Sequence, residues 1–581
     1  MTRFGPLLTE RGVRFRLWAP NAKTVELAMG GALRPMTARE SWFTLDTLGA
    51  TAGTRYQFRI DGKLTIADPA SRFQPEDVGG PSEVIAQDYV WACTDWRGRP
   101  WEEASFLELH VGTFTPEGTF RAAIEKLDHV ADAGITAIEV MPVADFPGRW
   151  NWGYDGVLWF APDSLYGRPE DLKALIDAAH ERGLMVFLDV VYNHFGPDGN
   201  YLGRLAPQFF GKAQTPWGGA INYSAPEVRA FAIENALMWL RDYRFDGLRL
   251  DAVHAIITPG TPHILHDLSA AVGELARETG RHIHLVLEND DNRASLLAPL
   301  EEPPQGRYRA QWNDDYHHAW HAWLTGENFG YYGDYKGNTG HIARAMAEGF
   351  AYQGEPSPHR GGVKRGELTR DLSPLAFVNF LQNHDQVGNR ARGERLVSLA
   401  APAMIEAALT ILLLSPAPPL LFMGEEWGAQ QPFPFFCDFK GDLADAVRDG
   451  RKREFAEAYA DDTIEVPDPL AEATMRSAKL DWAHAQTGAG QERLGLTKAL
   501  LHARREHVVP LLRDLMPGAA TASFDRKLLQ AEWRTPNQAL RLAAMFGPGP
   551  PPTLAADTII WERSSGDPQH PWTIIAGIGA A

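Results

Sequence analysis

The sequence predicts an α/β fold: a parallel (β/α)8 barrel (a TIM barrel) with an N-terminal β-sandwich domain and a small C-terminal β-domain. Three observations support this prediction. Short β-type runs fill the first 95 residues, apolar strands alternate with amphipathic helices from about residue 105, and short apolar runs with Pro/Gly turns return after about residue 515. A chain of 581 residues is too long for one ordinary hydrophobic core, so several domains are expected.

The first predicted domain covers residues 1–95. Its β-type runs lie about ten residues apart, which is the spacing typical of a β-sandwich, and turn-forming sequences separate them. No helical periodicity interrupts these runs. They are VRFRLWAP, TVELAM, SWFTLDT and TRYQFRIDG.

The second predicted domain, residues 96–495, contains eight apolar strands with amphipathic helices between several of them. Near-continuous apolar strands followed by helices indicate a parallel sheet, and eight such units fit a closed barrel with insertions. A doubly wound open sheet is the alternative, although no GxGxxG sequence opens a helix after the first strand. The predicted strands are 105–112, 135–142, 184–194, 245–251, 282–290, 307–314, 376–385 and 418–426.

The third predicted domain covers residues 496–581. Residues 440–500 are charged and helix-like, and the pattern changes after about residue 515 to short apolar runs. The chain ends in two of these runs, TIIWERSS and WTIIAGI, which predict a C-terminal β-domain.

Composition and charge limit the classes of function. A chain with 44% hydrophobic and 22% charged residues is typical of a water-soluble globular protein. The net charge of -18 argues against a nucleic-acid or membrane partner, because phosphate groups bind to basic surfaces. The first residues lack an apolar signal core, so we expect a cytoplasmic protein.

The two cysteines, Cys93 and Cys437, lie far apart and form no CxxC pair. Neither a zinc site nor a disulfide framework is therefore indicated. No calcium loop of the DxDxDG type is present, and we predict neither a metal nor a cofactor. The oligomeric state stays open.

Polar and ionisable residues follow six of the eight predicted strands. In a (β/α)8 barrel the catalytic groups project from the carboxyl ends of the strands. One such end alone is best explained as a solvated strand terminus, but six ends that meet at one barrel mouth favour a site. The residues are His110, Asp189, Asn193, His194, Arg249, Asp251, His254, Glu288, Asn313, Asp314, Asp315, Asn383, His384 and Asp385.

Three carboxylates stand out among these residues: Asp251, Glu288 and Asp385. The sequence contains no GxSxG, HExxH or GxxxxGK[ST] motif, so serine-hydrolase, zinc-protease and P-loop chemistry are not supported. Carboxylates in an acidic chain with 18 tryptophans favour glycoside chemistry, because indole rings suit sugar rings.

The stretch FDGLRLDAVH, residues 245–254, places Arg249 and Asp251 on one face of a strand. A structural salt bridge is one explanation. The other is that Asp251 attacks the anomeric carbon while Arg249 keeps it ionised and oriented. Glu288 follows the apolar run HLVL, which would raise its pKa and suit it to protonate the leaving oxygen.

Four ordered segments resemble the motifs of the α-amylase family of glycoside hydrolases. The resemblance implies that Asp251 is the nucleophile, that Glu288 is the general acid/base, and that Asp385 binds sugar hydroxyls and stabilises the transition state. It also implies a reaction that retains the anomeric configuration. The segments are DVVYNH (189–194), GLRLDAVH (247–254), LVLEND around Glu288, and FLQNHDQ (380–386).

The same resemblance implies contacts to the substrate. His194 and His384 would hydrogen-bond the sugar at the cleavage subsite, and Tyr154 in NWGYDG is similar to a stacking tyrosine of the family. We expect further substrate contacts from the residues of these motifs that flank the carboxylates, Arg249, His254 and Gln386. Many family members bind calcium through the asparagine of the first motif, here Asn193, but no metal is predicted for this chain.

Two features narrow the resemblance within the family. FRLWAPNAKTVEL followed by ELHVGTF is similar to members with an N-terminal carbohydrate-module-like sandwich: branching enzymes, debranching enzymes and malto-oligosyltrehalose trehalohydrolases. Segments 310–321 and 422–455 resemble the trehalohydrolases, which implies hydrolysis of the α-1,4 bond next to a terminal trehalose unit. Asn313, Asp314 and Asp315 would then contact the substrate near the leaving trehalose; capping of a loop start is their alternative role.

Two other functions stay open at this point. A branching or debranching enzyme would share the motifs but act at α-1,6 linkages. A non-catalytic α-glucan-binding protein would use an inactive barrel, and the presence of all three carboxylates disfavours it. The three residues after Glu288 are Asn-Asp-Asp, where some family members differ, so the groups that support the acid are not predicted.

Overall fold

A closed barrel of eight parallel strands forms the centre of the molecule. The computed structural model of the chain describes residues 3–215, 218–258, 262–298, 307–459 and 465–581. All eight predicted strands are present in the predicted order, and the open-sheet alternative is excluded. We number them β1 (Phe106–Leu109), β2 (Ala137–Val140), β3 (Met185–Val190), β4 (Gly247–Leu250), β5 (His284–Leu287), β6 (Ala310–Trp312), β7 (Phe377–Phe380) and β8 (Pro419–Phe422).

Every residue of these eight strands is buried. Helices cover the outer face and side chains fill the interior, which explains why the strands are near-continuous apolar runs without alternation. The longer helices around the barrel are Phe120–Ile124, Leu127–Asp132, Pro169–Glu181, Pro226–Asp242, Ile264–Thr279, Asp314–Thr325, Thr339–Glu348, Pro402–Leu414 and Gly488–Ala503. The short helices Val111–Phe114, Leu202–Leu205 and His384–Gly388 follow β1, β3 and β7.

Insertions leave the barrel from the carboxyl ends of several strands. A hairpin of Ala144–Asp145 and Leu158–Pro162 follows β2, and a hairpin of Phe210–Thr215 and Gly218–Ile221 follows β3. The β6–β7 connection carries the turn Gly330–Asp334 and a hairpin of Glu355–Ser357 and Val363–Arg365. The helices Gly441–Tyr459 and Glu472–Ser477 follow β8. These connections surround the face on which a barrel carries its site.

Two antiparallel sheets form the predicted N-terminal sandwich. Phe15, Leu27, Phe43, Tyr56 and Phe58 from both sheets are buried in its core. The first sheet contains Leu7–Thr9, Gly12–Trp18, Trp42–Leu48 and Thr37–Arg39. The second contains Ala32–Pro35, Val25–Met29, Arg55–Ile60, Leu64–Ile66 and Ser82–Glu83.

The C-terminal domain is a five-stranded antiparallel sheet that begins at Ala520. The boundary predicted between residues 495 and 496 falls inside the helix Gly488–Ala503. That helix belongs to the barrel: Thr497 donates a 3.0 Å hydrogen bond to the carbonyl of Glu426, shortly after β8. In spatial order the strands are Ala520–Asp525, Leu528–Arg534, Gln538–Phe546, Trp572–Ala580 and Thr558–Ser564.

No helix within the described residues has the length and apolar character that a membrane span requires.

Candidate active site

The site is built around the guanidinium of Arg249, which is fully buried on β4. Its Nη1 atom lies 2.6 Å from Oδ2 of Asp189 on β3 and 3.0 Å from Oδ1 of Asp251. Its Nη2 atom lies 2.8 Å from Oε2 of Glu288, directly after β5. The guanidinium also packs over Trp312, with 4.0 Å between Cζ and the ring centroid. Arg249 therefore forms the predicted pair with Asp251 and holds two further carboxylates.

Asp251 faces the barrel mouth with 11% of its side chain exposed. Asn193 donates hydrogen bonds of 2.6 Å to its Oδ2 atom and 3.0 Å to its backbone carbonyl. Burial raises the pKa of Asp251 above its usual value, while Arg249 opposes that change. Oδ1 contacts Arg249 and Oδ2 contacts Asn193, so the carboxylate is fixed in orientation at the cleft.

Glu288 lies beside the same guanidinium but has a different environment. The backbone N–H of Ala252 donates a 2.8 Å hydrogen bond to its Oε2 atom. Ala252 adopts a left-handed conformation with φ 40°, which is uncommon for a residue other than glycine. Burial raises the pKa of Glu288 to about 7, with Arg249 opposing and Asp251 and Asp385 adding to the rise. Glu288 therefore exchanges a proton near neutral pH.

Asp385 follows β7 and has 32% of its side chain exposed. Its neighbour His384 is buried, and its Nε2 atom lies 3.4 Å from Oδ1 of Asp385. Burial acts to raise the pKa of Asp385, but His384 outweighs it and leaves that pKa below its usual range. Asp385 is consequently an anion at neutral pH, in contrast to Glu288.

Glu108 on β1 contacts His384 within the site, although it is not among the residues predicted from the sequence. Its Oε1 atom accepts a 2.5 Å hydrogen bond from Nδ1 of His384, and its Oε2 atom accepts a 2.9 Å bond from the backbone N–H of the same residue. Glu108 is 1% exposed. The sequence does contain a signal for this residue, since a glutamate lies in the middle of the apolar strand SFLELHVG. An unpaired charge in such a strand would cost free energy, so the glutamate needs a polar partner.

Tyr154 and His194 lie beside these carboxylates. The hydroxyl of Tyr154 donates a 2.5 Å hydrogen bond to Asp189, and its ring stacks on His384 with 5.0 Å between centroids. Nε2 of His194 lies 3.0 Å from the carbonyl of Tyr154, and its Nδ1 atom contacts Oδ1 of Asn193. Both ring nitrogens of His194 therefore have protein partners, so in this geometry the ring positions Tyr154 and Asn193.

The three residues predicted after β6 separate into two roles. Asn313 is fully buried: it caps the helix Asp314–Thr325 by accepting a hydrogen bond from the N–H of Tyr316, and its amide donates to Gly349 and Asn379. This is the capping role that was its alternative.

Asp315 is fully buried as well, and protein groups occupy both of its oxygens. Oδ1 pairs with Arg365 at 2.5 Å and accepts a 2.6 Å bond from Tyr335. Oδ2 accepts from Asn292 and from the N–H groups of Ala351 and Tyr352. Of the three residues, only Asp314 lines a pocket.

A pocket of about 250 Å³ lies next to Glu288 and Asp385. His254 and Gln386, both predicted as substrate contacts, are part of its wall. The β6–β7 connection supplies most of the remaining wall: Asp314 and His318 lie in segment 310–321, which was noted in the sequence, whereas no motif indicated its other residues. The lining residues are His254, Glu288, Asp290, Asp314, His318, Tyr331, Asp334, Tyr335, Ser357, His359, Arg360, Arg365, Asp385, Gln386 and Asn389.

The Asn-Asp-Asp sequence after Glu288 anchors this wall. Arg360 contacts a carboxylate oxygen of Asp290 and lies 2.9 Å from Oδ1 of Asp291. Nη2 of Arg365 lies 3.0 Å from Oδ1 of Asp290. The hairpin that carries both arginines is therefore tied to the residues that directly follow Glu288.

Among the described residues, no group of three or more His, Cys, Asp or Glu side chains is placed to hold a metal ion.

Comparison with known proteins identifies relatives of this chain. Residues 94–208 match the model of the alpha-amylase catalytic domain. The chain is 42% identical over 533 residues, 91% of its length, to the malto-oligosyltrehalose trehalohydrolase of Deinococcus radiodurans and covers 87% of that protein. It is 40% identical over 518 residues to the enzyme of the same name from Saccharolobus solfataricus, with 88% of each chain covered.

The fold also has a solved relative. A crystallised alpha-amylase-like protein of Salmonella typhimurium superposes with a TM-score of 0.93 at 44% identity, and the match covers 100% of both chains.

Proposed function

The chain belongs to the malto-oligosyltrehalose trehalohydrolases of the α-amylase family, and we propose that it hydrolyses the α-1,4-glucosidic bond next to the terminal trehalose of malto-oligosyltrehalose. The products are trehalose and a shortened malto-oligosaccharide. The observation that carries this proposal is the placement of Asp251, Glu288 and Asp385 around one barrel mouth, with a pocket next to Glu288.

Asp251 is the nucleophile of this reaction. Its carboxylate attacks the anomeric carbon of the glucose that precedes trehalose and forms a glycosyl-enzyme intermediate. Arg249 and Asn193 each hold one carboxylate oxygen, and these contacts fix the orientation of the attacking group. Burial removes part of the water that would otherwise stabilise the anion.

Glu288 is the general acid and then the general base. Its pKa of about 7 keeps a large fraction protonated at neutral pH, so it donates a proton to the O4 oxygen of the leaving trehalose. The resulting glutamate accepts a proton from water, and that water releases the sugar from Asp251. Two displacements at the same carbon retain its configuration.

Asp385 and His384 bind the sugar at the cleavage position. Asp385 is an anion and accepts hydrogen bonds from sugar hydroxyls, while Nε2 of His384 lies at the same edge of the cleft. Glu108 fixes the ring of His384 from the opposite side. Tyr154 stacks on His384 and completes this subsite with its aromatic face.

The pocket next to Glu288 receives the leaving trehalose. It lies on the side of the acid, which must reach the leaving oxygen, and its wall is rich in hydrogen-bonding groups. His254, Gln386 and Asp314 from the barrel meet Arg360 and His359 from the β6–β7 connection there. A branching enzyme would need room for a glucan chain on this side, whereas a pocket of about 250 Å³ suits a short leaving group.

Product analysis tests the proposal. The protein is incubated with malto-oligosyltrehalose and, separately, with amylose, and the products are resolved by chromatography. We expect free trehalose from the first substrate. Branched glucan from amylose, or no release of trehalose, would refute the proposed specificity.

A further inference from the structure

A second pocket, of about 230 Å³, lies on the outer flank of the barrel, away from the carboxyl ends of the strands. Three elements form it: the segment that joins the N-terminal sandwich to the barrel, the helix Pro169–Glu181, and the carboxyl end of the helix Pro226–Asp242 with the residues that follow it. The lining residues are Arg72, Ile85, Gln87, Tyr89, Trp91, Lys173, Met238, Arg241, Asp242, Tyr243 and Arg244.

Lys173 is the unusual member of this set. It is 5% exposed, and among the described residues none forms a hydrogen bond or ion pair with its ammonium group. The ammonium lies 5.2 Å from the ring centroid of Tyr243. Burial lowers the pKa of Lys173, although Asp242, Glu170 and Asp88 act in the opposite direction. These carboxylates do not reach ion-pair distance, so an anionic ligand in direct contact with the ammonium group would offset more of the cost of its burial.

The guanidinium of Arg244 is a second cation of this pocket, and hydrogen bonding and packing fix its position. Arg244 has φ 60°, a conformation that side-chain-bearing residues rarely adopt, and its carbonyl accepts a 2.8 Å hydrogen bond from Arg281. Its guanidinium packs over Trp91 with 4.4 Å between Cζ and the ring centroid. Arg244 directly follows Tyr243, the C-cap residue of the helix Pro226–Asp242, where a left-handed conformation commonly ends a helix, so the turn fixes the direction in which its side chain leaves the backbone.

Tyr89 and Trp91 form an aromatic wall of the pocket, and protein contacts hold this wall in place. Asp177 accepts hydrogen bonds of 2.7 Å and 2.9 Å from the N–H groups of Ala92 and Cys93, and one of 3.3 Å from the hydroxyl of Tyr89. Asp177 and Lys173 lie one helical turn apart on the same helix. Tyr89 and Trp91 are thereby held against the helix that carries Lys173.

The charge of this pocket is opposite to that of the whole chain. Four cations line it, Arg72, Lys173, Arg241 and Arg244, against one carboxylate, Asp242, in a protein of net charge -18. Nη2 of Arg72 lies 3.9 Å from Oε1 of Glu234, so Arg72 contributes least to the binding of an anion. Burial raises the pKa of Asp242, while Arg72, Arg241 and Lys173 oppose that change.

We propose that this pocket binds the monophosphate ester of a small sugar. The phosphate oxygens would contact Lys173, Arg241 and Arg244, because ammonium and guanidinium groups suit a phosphate dianion. The apolar face of the sugar would lie on Tyr89 and Trp91. A volume of about 230 Å³ accommodates one phosphorylated sugar ring and is too small for a dinucleotide. The site is independent of the proposed hydrolysis.

Isothermal titration calorimetry of the full chain tests this proposal, with glucose 1-phosphate, inorganic phosphate and glucose as probes. We expect saturable binding of glucose 1-phosphate that is tighter than that of either other probe. Lys173→Met should weaken it at least tenfold. Arg241→Gln, a change at an exposed residue that does not threaten folding, should weaken it as well, and Lys63→Met, which removes an exposed lysine of the N-terminal domain, should not.

Three results would overturn the proposal. Glucose 1-phosphate could bind no more tightly than glucose, which would exclude recognition of the phosphate. If inorganic phosphate bound as tightly as the ester, a contribution of Tyr89 and Trp91 to binding would be excluded. Binding could also be unchanged in both Lys173→Met and Arg241→Gln, which would place the ligand elsewhere, including the barrel mouth.

Discussion

The three carboxylates of the site differ in the charges that surround them. Burial raises the pKa of Asp251 and brings that of Glu288 to about 7. Burial acts on Asp385 too, but the neighbouring His384 leaves its pKa below the usual range. Because the environments separate these values, one residue is poised to donate a proton while another stays an anion, and this division of labour is what glycoside cleavage needs.

Replacement of the nucleophile gives the first prediction. Asp251→Asn keeps the shape of the side chain but cannot form the glycosyl-enzyme intermediate. We expect kcat to fall at least about 10³-fold, equivalent to about 4 kcal/mol of barrier, with an unchanged circular dichroism spectrum. Asp525→Asn, at an exposed position of the C-terminal sheet, is the control and should keep full activity. Substantial activity in Asp251→Asn would exclude Asp251 as the nucleophile.

The pH dependence of kcat/KM gives the second prediction. Glu288 must be protonated to act as the acid, so activity is present below its pKa of about 7 and is lost as the pH rises through it. Asp251 must be ionised, and because its pKa is raised, activity is lost on the acid side above the usual aspartate range. We expect a narrow bell-shaped profile. An alkaline limb that persists unchanged in Glu288→Gln would show that another group titrates there.

Glu108 gives the third prediction, as a residue that positions His384. Burial opposes the imidazolium form, but Asp385 and Glu108 raise the pKa of His384 well above its usual value. The rings of Tyr154, Trp152 and Trp312, none of them charged at neutral pH, pack against the imidazole. Glu108→Gln removes one of its two anionic partners, so the pKa of His384 should fall and kcat/KM should drop about tenfold or more.

Titration of the histidine signals by NMR measures this change directly. Glu274→Gln is the control, because this glutamate lies on the helix Ile264–Thr279 with 58% of its side chain exposed. This control should leave the titration of His384 unchanged. An unshifted His384 signal in Glu108→Gln would contradict the positioning role.

Among the elements, the connection between β6 and β7 decides what lies beside Glu288. Its hairpin Glu355–Ser357 and Val363–Arg365 reaches back to the residues after β5 through Arg360 and Arg365. The ion pair of Arg365 with Asp315 anchors the same hairpin to the helix that follows β6. The pocket wall is therefore held by contacts within the β6–β7 connection and between it and the β5–β6 connection.

Arg360 gives the fourth prediction. Its side chain is 23% exposed, lines the pocket and is not part of a buried core. Arg360→Ala should raise KM for malto-oligosyltrehalose about tenfold with little change in kcat, because a contact that is equal in the ground and transition states affects binding alone. Arg370→Ala is the control, on the same connection with 79% of its side chain exposed. Equal KM values in the two variants would remove Arg360 from the leaving-group subsite.

The strands of the barrel were predictable from sequence, whereas most of this wall was not. Each barrel strand is a buried apolar run bounded by polar residues, and this local pattern alone predicts a buried strand. Arg360 and Asp290 are 70 residues apart, and no periodicity or motif relates them. The sequence also could not show that Asp314 lines the pocket while Asn313 and Asp315 do not. The direction of the helix that starts there decides which of these side chains faces the pocket.

For the whole molecule, the order of the domains could be predicted from changes in the hydrophobic pattern along the sequence. The boundary between the barrel and the C-terminal domain could not. The helix Gly488–Ala503 is a sequence that could belong to either neighbour, and its burial against the end of β8 assigns it to the barrel. The second pocket likewise depends on the assembly: residues 85–91 meet two barrel helices only because the linker packs along the barrel.

The residues, elements and domains of the molecule together support one mechanism: Asp251 and Glu288 perform a retaining hydrolysis whose leaving group is trehalose. Proton NMR of the reaction with malto-oligosyltrehalose tests it most directly, because the spectrum follows trehalose and the new reducing end together. We predict that trehalose appears at the same rate as a reducing end that is initially the α-anomer and then mutarotates. An initial β-anomer, or new reducing ends without trehalose, would contradict the claim.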